Sequence, residues 1–249
     1  MTKKIFQKLQ NSLDGELYTD SIHRIIYSTD ASAYKEKPLA VAFPKNEDDI
    51  KNIIIFTGNN KLSVIPRASG TSLAGQVVGN GIVIDVSRHL TKIIELNKEE
   101  KWIRVQPGVV LDELNKFLEP FDLYFGPETS TSNRCMIGGM VGNNACGSHS
   151  IIYGSTRDHL LAVKALLSDG SMAEFQSLTN YEFERKCDGN TLENKLYQSI
   201  VEILSNTENQ TEIRAQFPDK ELHRRNTGYA IDLLLDSAPF TPGEKPFNF

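Results

Sequence analysis

A run of small and hydroxylated residues, Pro66-Arg67-Ala68-Ser69-Gly70-Thr71-Ser72-Leu73-Ala74-Gly75, follows directly on the apolar run Leu62-Ser63-Val64-Ile65. This order reads as a strand that delivers the chain into a turn-rich loop able to press its backbone against a ligand. Gly70 and Gly75 permit positive φ and leave no Cβ in the way, while Ser69, Thr71 and Ser72 add hydroxyls to a concavity of backbone N–H donors. Such a concavity suits phosphate, and a pyrophosphate is the ligand end it fits. There is no Gly-x-x-x-x-Gly-Lys-Ser/Thr and no Gly-x-Gly-x-x-Gly opening a helix within a βαβ unit, which argues against a Walker-type or Rossmann site. An ordinary surface loop between strands stands beside this reading, because Gly and Ser gather in loops anyway.

A second glycine-rich run lies further along the chain. Gly126-Pro127-Glu128-Thr129-Ser130-Thr131 is followed by Ile137-Gly138-Gly139-Met140-Val141-Gly142-Asn143-Asn144-Ala145-Cys146-Gly147, then by Tyr153-Gly154-Ser155-Thr156-Arg157-Asp158. With both runs in view, the chain resembles the FAD-binding domain of the vanillyl-alcohol oxidase/p-cresol methylhydroxylase (PCMH-type) superfamily. More narrowly, it is similar to the branch of D-lactate dehydrogenases, glycolate oxidase flavin subunits and D-2-hydroxyglutarate dehydrogenases, over about residues 37 to 235. The resemblance implies that Pro66, Arg67, Ala68, Ser69, Gly70, Thr71, Ser72 and Gly75 wrap the FAD pyrophosphate. It implies equally that Pro127, Glu128, Thr131, Met136, Gly138, Gly139, Gly142, Asn143, Asn144, Gly147, Tyr153 and Gly154 line the flavin's other side. Two departures bear on the site. Met136 stands where the family often has Thr, so a hydroxyl contact is lost there and a backbone contact is left. Thr71 stands where relatives with covalent flavin carry the linking histidine, which implies non-covalent FAD.

The balance of charge narrows the partners. Lys plus Arg number 27 against 32 Asp plus Glu, a net charge of −5 that argues against nucleic acid or an anionic membrane as the main partner. No apolar run approaches the ~20 residues that span a bilayer, so no transmembrane segment is expected. Met1-Thr2-Lys3-Lys4-Ile5-Phe6 lacks the apolar core of a signal peptide, which makes a cytoplasmic location the default expectation. Cys135, Cys146 and Cys187 are an odd number without Cys-x-x-Cys spacing, which disfavours a disulfide framework and a zinc or iron–sulfur site in this chain. No metal site is expected.

Local patterns supply the elements. Residues 3–9 suit a short amphipathic helix and 20–33 a connecting arm, in which Tyr27-Ser28-Thr29-Asp30 resembles the family's lead-in segment. Leu39 to Phe43 is a continuous apolar run of strand length. A helix follows, with Asn46 as N-cap, three acidic residues in its first turn, and a stop at Gly58-Asn59-Asn60. Strand, helix and strand predict a small parallel sheet with the loop at the end of its second strand, where open α/β sheets bind ligands. Further strands are expected at 81–86, 93–96 and 102–105, a helix at 110–117 and a hairpin through Ser168-Asp169-Gly170-Ser171. A last amphipathic helix is expected from Leu192 to Leu204. Trp102 reads as packing rather than a flavin-stacking ring. The fold expectation is α+β, PCMH-type. Residues 1–36 form an N-terminal helical arm, about 37–80 a small parallel βαβ lobe, and about 81–249 a larger, mainly antiparallel lobe.

The segment Arg224-Arg225-Asn226-Thr227-Gly228-Tyr229-Ala230-Ile231-Asp232 resembles the stretch that precedes a further glycine-rich loop in the family. Because that loop does not follow, the chain is expected to be an N-terminal fragment, truncated before a cap domain that binds the hydroxy-acid substrate. The resemblance places an iron–sulfur cluster only in a longer parent chain. His149 and His159 adjoin the flavin motifs, but sequence supplies neither reach nor pKa, so no catalytic residue is assigned. Arg157-Asp158 reads as an ion pair or a turn-fixing contact. The expected function is the FAD-binding portion of an oxidoreductase that passes a hydride from a D-2-hydroxy acid to FAD and on to an acceptor the sequence does not identify. A flavin reductase of the cell-wall precursor type and a non-redox nucleotide-binding module are the competing readings.

Overall fold

The computed structural model describes residues 2–222, 228–243 and 245–249, so residues 224–227 of the expected family segment 224–232 lie outside the described residues. The chain divides into two compact units, 1–158 and 159–249.

The first unit opens with α1 (Thr2–Gln10), β1 (Glu16–Tyr18) and α2 (Ser21–Ile26). α2 falls within the segment 20–33 expected as a connecting arm, whereas β1 is a short strand inside what was expected to be a helical arm; Asp20 caps α2 by accepting from the N–H groups of Ile22 and His23. Next come β2 (Ala40–Phe43), α3 (Glu47–Asn60), β3 (Val64–Arg67) and β4 (Ile82–Asp85). The four strands form one sheet in the order β1-β2-β4-β3, with β1 antiparallel to β2 and the other pairs parallel. β4 therefore sits between β2 and β3, and the strand expected beyond residue 80 completes the first sheet. Since β3 and β4 are parallel, residues 68–81 must carry the chain back along the strand length. That return is the phosphate-loop candidate.

The continuous apolar run in β2 has a simple cause: both faces of the sheet are covered. Ala40, Ala42, Ile82 and Ile84 pack with Phe6, Leu9 and Ile53, while Val41 and Val83 pack on the other face with Phe43 and Ile65. α3 starts as expected, with Asn46 accepting from the Asp49 N–H at 2.9 Å. Its Asp49 is buried and accepts from the N–H groups of Asp14, Gly15 and Lys45 at 2.8, 3.0 and 2.8 Å, which ties the N-terminal arm to the helix start. Pro66 is tolerated because β3 is an edge strand.

β5 (Ile93–Asn97) and β6 (Trp102–Val105) make an antiparallel pair, and α4 (Leu111–Leu118) buries Leu111, Leu114 and Leu118. Trp102 donates its indole N–H to Glu100 at 2.7 Å. α5 (Ile137–Gly142) and α6 (Ser150–Tyr153) complete the unit. In the second unit, β7 (Ala162–Leu166) and β8 (Met172–Gln176) form the expected hairpin. α7 (Asn180–Cys187), α8 (Leu192–Leu204), α9 (Thr207–Gln216) and α10 (Ile231–Leu235) follow. Leu178, Phe183, Tyr197, Ile200, Leu204, Leu234, Leu235 and Phe247 form their shared core.

Candidate cofactor site

Pro66 and Arg67 end β3, and Ala68 to Gly75 form the loop beyond it, half-buried except at Leu73 and Ala74. Gly70 and Gly75 adopt φ of 69° and 74°, the left-handed region that glycine enters without steric cost. Among the described residues, no protein group accepts a hydrogen bond from the N–H of any residue from 68 to 75. Backbone donors are normally paired with protein or water, so these eight N–H groups are open to solvent or to the acceptor atoms of a ligand. The Arg67 guanidinium folds back beneath it: a Cβ on Gly70 would stand 2.9 Å from Arg67 Nη2, and Nη1 donates to the Thr29 carbonyl at 2.9 Å. The loop thus joins N–H dipoles to a fixed positive charge.

The second wall is α5 with its flanks. Its approach is pinned by Leu111 N–H to Cys135 O at 3.1 Å, Ile137 N–H to Val109 O at 2.9 Å, and Gly138 N–H to Pro107 O at 2.9 Å. Met136 lies in that pinned stretch as the helix N-cap, with no side-chain cap bond. Each glycine here has its own neighbour. A Cβ on Gly138 would stand 2.4 Å from Pro107 Cβ, and one on Gly139 would stand 3.1 Å from Ala68 Cβ, so Gly139 lies directly against the first loop. The Gln76 amide donates to Asn143 Oδ1 at 2.8 Å, a second link between the two runs. Gly142 differs, because a Cβ there would meet no protein atom within 4 Å.

The third segment closes on itself. Pro127 is buried, and a Cβ on Gly147 would fall 1.3 Å from the Glu128 carbonyl oxygen, so only glycine lets these strands of chain cross. His149 Nδ1 lies 2.8 Å from Glu128 Oε2, which makes that histidine a partner of the wall. The Thr131 hydroxyl pairs with Thr129 at 3.1 Å. Tyr153 packs its ring on Gly126 and shares a hydroxyl hydrogen bond with Tyr124, which raises the Tyr124 pKa. Asn144, at φ 44°, accepts from the Arg157 N–H at 2.9 Å. Asp158 accepts from the Ser155 N–H and hydroxyl at 2.7 and 2.9 Å beside Gly154, the turn-fixing contact expected of the Arg157-Asp158 pair. Burial pushes the Cys135 thiol up, although the Thr129 hydroxyl donates to its sulfur at 3.3 Å. No group of three or more His, Cys, Asp or Glu among the described residues is placed to hold a metal.

Two residues of this arrangement escaped sequence reasoning. Gln76 lay just beyond the glycine-rich run, and nothing local marks its amide as a bridge. Tyr34 lies on Gly75, whose Cβ would stand 2.5 Å from the ring, and that contact joins segments far apart in the chain.

An α+β fold in which a glycine-rich loop follows a parallel strand and lies against a second glycine-rich segment is an arrangement compatible with a phosphate-bearing cofactor. The unspent donors of 68–75 and the open space at Gly142 fit a dinucleotide of FAD type. The FAD binding domain family matches over residues 38–176, and the chain belongs to that family. It is 37% identical over 241 residues to D-2-hydroxyglutarate dehydrogenase of Haemophilus influenzae, an alignment covering 94% of this chain and 23% of that protein. It is 31% identical to glycolate oxidase subunit GlcD of Bacillus subtilis, covering 69% of this chain and 37% of that one. Among solved structures, 6-hydroxy-D-nicotine oxidase from Arthrobacter nicotinovorans superposes with a TM-score of 0.59 at 21% identity, covering 66% of this chain and 36% of the other. That last likeness is of fold, and the fold is the PCMH-type α+β fold expected from the sequence. The chain thus spans about a quarter of the length of that dehydrogenase. No helix among the described residues is long and apolar enough to cross a membrane.

Proposed function

We propose that this chain is the FAD-binding portion of an oxidoreductase acting on a D-2-hydroxy acid. The observation that carries the reading is the row of unspent N–H donors at 68–75 over the Arg67 guanidinium. The likeness to D-2-hydroxyglutarate dehydrogenase along nearly the whole chain supports the substrate class. FAD, when bound, accepts the hydride from the substrate carbon.

The residues of this chain bind and orient. The loop N–H groups and Arg67 hold the diphosphate, Gly139 sets the spacing of the second wall from Ala68, and Gly142 leaves room for the cofactor. Thr71 offers a hydroxyl and no imidazole, and burial keeps Cys135 from its thiolate form. Position 71 thus offers no histidyl linkage, and on that ground the flavin is proposed to be held without a covalent bond. Hydride transfer also requires the hydroxy acid to be held in line, a positioning that accounts for ~7–11 kcal/mol of a barrier. A chain spanning a quarter of its dehydrogenase relative is proposed to bind FAD without supplying that positioning.

Titration with FAD tests the reading, with a shifted flavin absorption band as the expected result. Gly70→Val should abolish binding, since its Cβ meets Arg67 and its φ is left-handed. Acid-precipitated, washed protein should be colourless. Mixing the FAD-loaded chain anaerobically with D-2-hydroxyglutarate, D-lactate or glycolate should leave the flavin band unbleached, and bleaching at an enzymatic rate would place the catalytic groups within these 249 residues.

A further inference from the structure

The loop 68–75 makes no hydrogen bond through its own N–H groups among the described residues, so something else must hold its shape. Besides the approach of Gly139 to Ala68, three contacts do so, and these three come from residues 29–34, which lie before the span matched by the FAD binding domain family. The Ala31 N–H donates to the Gly70 carbonyl at 3.1 Å. The Thr29 carbonyl accepts from Arg67 Nη1 at 2.9 Å, which fixes the guanidinium under the loop. The Tyr34 ring lies on Gly75 so closely that a Cβ there would stand 2.5 Å from Cδ2. The same arm keeps a buried Asp30 Oδ2 that accepts no hydrogen bond among the described residues, a costly arrangement for a segment with no other task.

From these contacts we infer that residues 29–34 form a strap that pre-organises the phosphate cradle, with Tyr34 as a positioning residue for cofactor binding. The inference rests on the reading of 68–75 as the diphosphate site. Its physical basis is entropic: a glycine-bearing loop without internal bonds samples many conformations, and each must be given up when the anion binds unless the loop is already held. Tyr34 is 62% exposed, so the fold does not depend on burying it. Its ring, rather than its hydroxyl, makes the contact with Gly75.

The test compares wild type, Tyr34→Ala and Tyr34→Phe with two probes, FAD followed by its fluorescence and absorption and inorganic pyrophosphate followed by calorimetry. Tyr34→Ala should weaken both at least about tenfold with the thermal midpoint unmoved, and Tyr34→Phe should restore both. Equal affinities in wild type and Tyr34→Ala would overturn the strap and leave the FAD reading intact. A wild type that binds pyrophosphate but not FAD, with Tyr34→Ala losing pyrophosphate, would keep the strap and overturn the FAD reading. Binding of neither probe by wild type would overturn both.

Discussion

The loop of residues 68–75 and the core of the second unit are built on opposite terms. The loop is small side chains and unspent donors, held in place from outside. In the second unit Phe175, Phe183, Tyr197, Phe240, Phe247 and Phe249 pack ring against ring, with centroid distances such as 4.8 Å for Phe183–Phe247 and for Tyr197–Phe249. Here bulk is stabilising and even Tyr197 is fully buried. In the loop and its facing wall, bulk is excluded where segments of chain approach closely, as at Gly138, Gly139 and Gly147. One region is organised around surface already buried, the other around close backbone approach and donors that no described protein group takes. The same kind of substitution should therefore have different consequences in each.

The largest effect is expected where glycine permits a crossing of chain. Gly147→Ala places a Cβ 1.3 Å from the Glu128 carbonyl oxygen, which no rotamer relieves. Loss of the first unit's cooperative melting transition is the expected outcome, and a native-like transition would break the claim that this wall is a packed structure. Next comes Phe247→Ala, which empties a wholly buried site packed against the rings of Phe183, Tyr197, Phe240 and Phe249 and should cost about 3–5 kcal/mol in denaturant unfolding. FAD affinity, measured where the variant is still folded, should not change.

Gly142→Ala separates structure from binding most sharply. Its Cβ meets nothing in the protein, and Gly142 is the last residue of α5, where Gly to Ala adds up to roughly 0.5 kcal/mol of stability. The expected result is a higher melting temperature together with FAD binding weakened by about tenfold or more, as the methyl fills space left for the cofactor. Unchanged FAD affinity would remove α5 from the site.

The smallest effect belongs to Tyr197→Phe. The Tyr197 hydroxyl is buried without a hydrogen bond among the described residues, so its removal should be neutral within ~1 kcal/mol or slightly stabilising. Burial, then Glu193, raises its pKa. A raised folded pKa favours the neutral form, so its contribution is complete below the unfolded value near ~10 and is lost as pH climbs above that value. Tyr27 in the first unit is raised by burial and by its 2.6 Å hydrogen bond to Asp85, so both units should lose stability in alkali. Tyr197→Phe should blunt the alkaline loss in the second unit only, readable by unfolding monitored from pH 8 to ~12.

Much of this contrast was legible in the chain. Asn46 before three acidic residues marked the start of α3, and Leu192 to Leu204 marked α8 to the residue. Elements that went unread were short or weakly periodic: β1 has three residues, and α9 buries none of its side chains. α7 carried a readable signal, since Thr179 and Glu182 form a capping box. At the site, the glycines advertised close approach without saying to what. Gly138 answers to Pro107, Gly139 to Ala68, Gly147 to Glu128, and Gly142 to open space.

The order of residues alone determined the local facts: that β3 would end in a loop free of bulk, that the second run could come near a ligand, and that position 71 offers no imidazole. These depend on steric freedom and side-chain chemistry within a few residues. The tertiary structure alone decided that β4 inserts between β2 and β3, and that Gln76 reaches Asn143. It alone brought Ala31, Thr29 and Tyr34 onto the loop. Such pairings join groups tens of residues apart, and their free energy depends on which surfaces meet when the chain closes, information that no local window of sequence contains.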